Sequence, residues 1–350
     1  EPFWGFITTV LTKKSAFGFG HARRSVLTKV FKKRCPYLAF KDLIRIITEI
    51  KNKIFKRWLM ILNFGSINID NVYQVDRFPL DGETISSKSY EKILGGKGIN
   101  QSVAIHRAGG DVKHVGYIGD DTWILDQVSK MGIKTDFISK CYGPTGHAII
   151  FVDAAGENEI VIHAGANDQF SKSQCFKILE SFGSKDSWVV LQNEINLSIE
   201  IAKKAKELGF RICYSAAPFD ASHAKEMLSY VDLLVMNETE LKELQNSIEK
   251  NVFDLDVDMI LVTLGSRGAE LHMKNNTYKQ SSFIAEPVDT TGAGDTFLGS
   301  FMACYDNGYE IKKALEYAAA SSSIQITRNG AAKAIPTFDE VEEFLSEQKK

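Results

Sequence analysis

The sequence predicts an α/β protein with a mainly parallel central sheet flanked by helices, plus a small β-sheet lid. Three observations lead there. From Met60 onward, short apolar runs alternate with stretches of helical period, and repeating that unit implies a parallel sheet covered on both faces. Two stretches, 71–94 and 145–162, break the rhythm with hairpin-like alternation and read as a separate small sheet. A length of 350 residues, 44% of them hydrophobic, suffices for one large α/β core.

Taken in order, strands are expected at 60–65, 112–118, 147–152, 159–162, 187–191, 210–214, 233–236 and 259–263, each a short apolar run. The pair 147–152 and 159–162 flanks the turn Ala154-Ala155-Gly156-Glu157. Helical periodicity places helices at 98–107, 122–131, 172–182, 199–208, 221–230 and 238–247. The chain then turns helical over 296–305, 311–326 and 338–348, with a loop at 327–336. No internal repeat is visible in residues 60–350, and no run of eighteen apolar residues exists to span a membrane.

Charge divides the chain in two. Residues 1–58 hold fourteen Lys and Arg against three Asp and Glu, net +11, which leaves −13 on the remainder of a chain whose total is −2. Three readings fit this basic segment: a transit peptide, an arm for nucleic acid or a membrane surface, or a translated stretch upstream of a start at Met60. The last is preferred, because the segment is rich in Phe rather than Ser and differs from the rest in charge and pattern. The main folded domain is therefore expected at 59–350, with neither nucleic acid nor membrane as a partner. Cys35, Cys141, Cys175, Cys213 and Cys304 are scattered and lack C-x-x-C spacing, so neither a disulfide framework nor a zinc site is expected, and the cytoplasm is the natural compartment.

The densest chemistry lies in Asp289-Thr-Thr-Gly-Ala-Gly-Asp295, a glycine-rich turn leading into a helix. Glycines let backbone approach an anion, a helix N-terminus offers unpaired N–H groups, and Asp295 is placed to take a proton from an attacking hydroxyl. It is neither a Walker A loop nor a dinucleotide fingerprint. Taken singly, Asn237–Glu240 reads as a helix N-terminus, Thr263–Gly268 as a strand-to-hairpin turn, and Asp70 or Asn100 as a turn or cap residue.

Together, Gly95-Gly96-Lys97-Gly98-Ile99-Asn100-Gln101 followed by Ala108-Gly109-Gly110, and Asp289 to Asp295, resemble the two signatures of the PfkB carbohydrate kinase family. Gly65-Ser66-Ile67-Asn68-Ile69-Asp70, His163-Ala164-Gly165-Ala166-Asn167, Leu191-Gln192-Asn193-Glu194, Asn237-Glu238-Thr239-Glu240 and Thr263-Leu264-Gly265-Ser266-Arg267-Gly268 are similar in order and spacing to its ribokinase branch. The resemblance implies a three-layer ribokinase-like fold and an ATP-dependent kinase acting on a primary sugar hydroxyl, O5 of D-ribose first among candidates. Kinases of the same family for fructose, deoxyribose or nucleosides, and a non-catalytic sugar-binding regulator, are the alternatives.

Residue by residue, the resemblance implies sugar contacts from Asn68, Asp70, Gly95, Gly96, Lys97, Asn100, Glu194 and Asp295. It implies catalysis by Asp295 as base in the Gly292-Ala293-Gly294 turn, with the backbone N–H groups of Ala293, Gly294 and Asp295 holding the phosphoryl charge. Nucleotide contacts are implied for Asn237, Thr263, Leu264, Gly265, Ser266, Arg267, Gly268, Gly294, Asp295 and Ala319, and a magnesium contact through water for Glu240. A potassium site is implied at Asp289, Thr291, Gln325, Arg328, Gly330 and Ala334, where Ala334 departs from the usual serine. The lid is expected to join two copies into a homodimer, since a small appended sheet has edges and an apolar face to cover.

Overall fold

The computed structural model describes residues 60–182 and 187–348. The basic segment 1–58 lies outside the described residues. In chain order the first elements are β1 (Ile61–Phe64), β2 (Asn68–Gln74), β3 (Ser89–Gly95), α1 (Lys97–Arg107), β4 (Val112–Ile118), α2 (Trp123–Lys130) and β5 (Ile138–Lys140). Then come β6 (Gly146–Val152), β7 (Asn158–His163), α3 (Lys172–Phe182), β8 (Trp188–Leu191), α4 (Ser198–Glu207), β9 (Arg211–Ser215), α5 (Ala221–Met227), β10 (Leu233–Asn237) and α6 (Glu238–Ile248). The chain ends with β11 (Met259–Thr263), β12 (Ala269–Met273), β13 (Asn276–Gln280), α7 (Ala293–Asp306), α8 (Ile311–Gln325) and α9 (Phe338–Glu347).

Among the described residues one sheet has nine strands in the order β13-β12-β11-β10-β9-β8-β1-β4-β5. It runs parallel from β11 to β5, with β12 and β13 forming an antiparallel hairpin at one edge. Alternation along the strands makes two apolar cores. Ile61, Trp188, Val190, Leu233 and Leu261 face α1, α2, α7, α8 and α9; Leu62, Phe64, Val189, Leu191, Leu234 and Ile260 face α3, α4, α5 and α6. Strands apolar on both faces are what a helix-covered parallel sheet requires. β1 and β8 are accordingly buried throughout.

The lid is a four-stranded sheet, β3-β2-β6-β7, in which β2 pairs antiparallel with β3 and parallel with β6. It begins three residues earlier than the expected 71–94, so Asn68 and Asp70 belong to the lid's first strand. Its register sorts the side chains. Asp70, Ala148 and Ile162 pair across one face, while Asn71, Ile149 and Val161 share the other with Tyr73, Tyr90 and Phe151.

Sequence periodicity missed β5, an edge strand of three residues, and the hairpin of β12 with β13, of which β13 is the exposed, polar edge. It also began α7 at residue 296. The helix starts at Ala293, because Gly292 takes a left-handed φ of 77° as its cap, and Asp295 therefore lies inside the first turn.

Candidate active site

The sheet's parallel strands deliver their carboxyl ends to one edge, where open α/β sheets bind ligands. From β1 the chain passes through Ser66 into β2 with Asn68 and Asp70; β8 leads to Gln192 and Glu194, β10 to Asn237, and β11 to Thr263. Helices α1 and α7 place their N-termini at the same edge. α1 approaches the β1–β2 connection so closely that a Cβ at Gly98 would lie 2.4 Å from Ser66 N.

Asp295, only 7% exposed, is clamped by α1: Asn100 Nδ2 donates to its Oδ2 at 3.2 Å and Gln101 Nε2 to its Oδ1 at 2.9 Å. Behind the clamp, Gln192 Nε2 donates to Gln101 Oε1 (2.8 Å) and Asn63 Oδ1 (2.9 Å). Asn63 Nδ2 in turn donates to Gly98 O (2.7 Å) and Ser102 Oγ (2.9 Å), and Ser102 meets His114 Nδ1 at 2.9 Å. Burial holds the His114 imidazole down at about 3, so this chain is uncharged up to the aspartate. Asn100 Oδ1 is buried with no donor among the described residues, an acceptor that a sugar hydroxyl can satisfy.

In front of the clamp the charges converge. Lys97, the first residue of α1, is raised above the usual lysine range chiefly by Asp295, with Glu194 and Glu240 adding to it against burial. Glu194 accepts from Lys97 N at 3.0 Å and from Ser66 Oγ; burial lifts its carboxyl overall, and the Ser66 hydroxyl opposes the lift. Burial, then the Glu194 charge, pushes Asp70 up to about 6. A cavity of about 230 Å³ opens beside these groups, lined by Asn68, Asn167, Asn193, Glu194 and, from the lid, Ile162. Asn167 Nδ2 donates to Asn68 Oδ1 at 2.7 Å and Asn167 Oδ1 accepts from Ile67 N, which leaves the Asn68 NH2 as the group available to a ligand.

At the N-terminus of α7, Ala293 N donates to Thr290 O at 3.2 Å, whereas the N–H groups of Gly294 and Asp295 take no protein acceptor among the described residues. The anion-holding set expected from sequence is therefore narrower by one member. A Cβ built at Gly294 would meet nothing within 4 Å, so the turn faces open space. Such a helix N-terminus stabilises a phosphoryl group.

On the nucleotide side Asn237 caps α6, its Oδ1 accepting from Thr239 N and Glu240 N at 2.9 Å, while Glu240 Oε2 accepts from Asn237 N at 2.7 Å. The structural reading of that motif holds, and it leaves Glu240 Oε1 and Asn237 Nδ2 outside the cap. Gly265–Arg267 forms a single 3-10 turn after Leu264, and Arg267 Nη2 reaches Glu238 Oε2 at 2.5 Å, tying that turn to α6. Ala319 is 3% exposed and packed in the core on α8.

In the expected potassium set, donors of the chain already engage several of the named groups. Thr291 N and Gly330 N each donate to an Asp289 oxygen at 2.9 Å, and Gln325 O accepts from Arg328 N at 3.0 Å. Gln325 Nε2 donates to Thr291 O (2.9 Å) and Gly330 O (3.2 Å), and Ala334 brings no hydroxyl. These residues do not fit a cation as they stand. No cluster of three His, Cys, Asp or Glu occurs among the described residues.

Asn167, Gln101 and Gln192 were passed over as functional residues, although all three stand inside the quoted motifs. Nothing in sequence spacing says that an amide touches another amide rather than a ligand.

A buried carboxylate at an anion-binding helix start, beside a polar cavity under a lid, defines a phosphotransferase with an alcohol acceptor. The chain belongs to the PfkB family of carbohydrate kinases, whose sequence profile, described as "pfkB family carbohydrate kinase", matches residues 59–338. It is 33% identical over 297 residues to the ribokinase of Haemophilus influenzae, covering 80% of this chain and 96% of that one. Its fold matches the crystal structure of ribokinase from Thermotoga maritima with a TM-score of 0.74 at 32% identity, covering 82% of this chain and 99% of that one. It also matches the Arabidopsis thaliana ribokinase complexed with ribose and ATP, with a TM-score of 0.71 at 29% identity, covering 82% and 98%. The three-layer ribokinase-like fold with its lid is thereby established.

Proposed function

We propose that this protein transfers the γ-phosphoryl group of ATP to O5 of D-ribose. The observation that carries the reading is the Asn100–Asp295–Gln101 clamp, which holds a buried carboxylate against an open, glycine-led helix N-terminus while Asn100 Oδ1 awaits a donor. The ribose and ATP bound in the Arabidopsis relative support the same substrates here.

Asn68, Asp70, Asn100 and Glu194 hold the sugar hydroxyls, with Gly95 and Gly96 bringing backbone close to the ring. Asn237 and Thr263–Gly268 line the nucleotide. Asp295 accepts the O5 proton as the O5–P bond forms and the bond to the ADP oxygen breaks. The N–H groups of Gly294 and Asp295 hold the charge growing on the phosphoryl oxygens, and Lys97 adds positive charge between sugar and nucleotide. Magnesium, near Glu240, supplies charge neutralisation on the phosphates when bound.

Residues 59–350 form the kinase domain, and removing 1–58 is expected to leave activity intact. Four free thiols among the described residues, Cys141, Cys175, Cys213 and Cys304, support a cytoplasmic setting. The apolar outer face of the lid supports a homodimer. The deciding experiment is ADP release across D-ribose, 2-deoxyribose, fructose and nucleosides. Ribose should give the highest kcat/KM; a tenfold preference for any other acceptor overturns the assignment.

A further inference from the structure

The loop from Thr327 to Pro336 and the turn from Asp289 to Gly294 are the two backbones that a monovalent cation would tie together. In this chain the tie is a side chain. Gln325, at the end of α8 and fully buried, points its amide nitrogen between the Thr291 and Gly330 carbonyls, 2.9 and 3.2 Å away. A primary amide carries two N–H donors, enough to serve both carbonyls at once. In this orientation the amide donates to both carbonyls, whereas the reverse orientation would turn three oxygens to one point. As placed, Oε1 is buried and takes no donor among the described residues.

Two further features disfavour an ion beneath this turn. Lys333 folds over the loop so closely that a Cβ at Gly330 would lie 2.5 Å from its Cε, and its ammonium reaches Glu91 at 3.2 Å. It thus brings a fixed positive charge to the loop. Asp289 already accepts a backbone N–H on each of its oxygens. Burial would raise its acid, but the bonds from Thr291 and Gly330 and the Lys333 charge hold it below the usual aspartate range.

We infer that the Gln325 side-chain amide stands in for a monovalent cation, positioning the anion-binding turn so that phosphoryl transfer does not depend on which monovalent cation is present. This rests on the kinase reading above. An ion entering between the two carbonyls has to displace the amide and strand two buried donors, whereas an amide needs no dehydration to serve there.

The test uses the full chain at fixed ionic strength in potassium, sodium or tetramethylammonium chloride. Wild-type ADP release with ribose should agree within about twofold across the three salts; activation by potassium of fivefold or more overturns the inference. Gln325→Glu is nearly isosteric, removes both N–H donors and adds a carboxylate. Its rate should fall at least tenfold in tetramethylammonium and recover in potassium, a rescue that a merely structural role does not produce. A folded variant equally slow in every salt overturns the assignment of Gln325. Thermal melting of the wild type needs neither turnover nor the variant: potassium should shift its midpoint no more than tetramethylammonium does, and a potassium-specific rise overturns the inference. A chain inactive on every sugar retires the kinase reading and leaves the amide to be decided by the melt.

Discussion

Gln101 Nε2 donates to Asp295 Oδ1 at 2.9 Å, joining the first helix of the described chain to the helix that carries the proposed base, 194 residues away. A carboxylate held from both sides by neutral amides keeps one rotamer. Asp295→Asn tests the base itself. The amide is nearly isosteric and cannot take a proton at neutral pH, so kcat should fall by about 10²- to 10⁴-fold while ribose and ATP affinity stay within about tenfold. Turnover near wild type would remove Asp295 from that role.

Gln101→Ala probes the clamp rather than the base. Gln101 hands its own oxygen to Gln192, so removing it frees Asp295 Oδ1 and breaks the link to Asn63 together. A loosened catalytic group costs rate more than affinity, and kcat should drop about 10- to 100-fold with the ribose KM changed by less than about threefold. A KM increase with kcat intact would instead mean that Gln101 serves the sugar.

Much of this site was legible in the sequence because motif spacing marks which backbone segments meet. The glycines at 95, 96, 98 and 292 signal close approach, and Asp295 after two of them signals an anion turn. What spacing cannot encode is the partner of an amide. Asn167 orienting Asn68, Gln192 behind Gln101, and Gln325 between two carbonyls depend on side-chain direction, set by packing that no local pattern reveals. The edge strands β5 and β13 escaped for a related reason, since edge strands bury too little to show an apolar signature, and in β12 only Ala269 and Leu271 are buried, too short a pattern to stand out.

Asp70 gives a pH signature with a defined sign. Its acid is raised from 3.8 to about 6 in the folded chain, so the folded state binds a proton more tightly than the unfolded one. Stability is therefore lost as pH rises from about 4 to about 6, and the loss stays constant above that. Asp70→Asn escapes it and, without sugar, should be more stable than wild type by roughly 1 to 3 kcal/mol at pH 7.5, with the difference shrinking toward zero near pH 4. Urea unfolding at the two pH values measures it, and a variant less stable than wild type at pH 7.5 contradicts the origin of the shift. The same proton should depress wild-type kcat/KM for ribose on the acid side of about pH 6.

The outer face of the lid makes the last test. Val161 is 64% exposed, Tyr90 50% and Ile149 37%, and beside them Tyr73 stacks toward Tyr90 and Phe151 with centroids 4.9 and 5.7 Å apart. Register puts this apolar group on the face opposite Asp70, away from the sugar. A second copy related by a two-fold axis would cover it, and light scattering of residues 59–350 should give twice the monomer mass at micromolar concentration. Val161→Lys places a charge in the middle of that contact and should yield monomers. Because Val161 points away from Asp70, the variant's sugar affinity should change only as far as lid closure depends on the partner. Monomers in the unmodified protein, with or without ribose, would leave the lid its covering role alone.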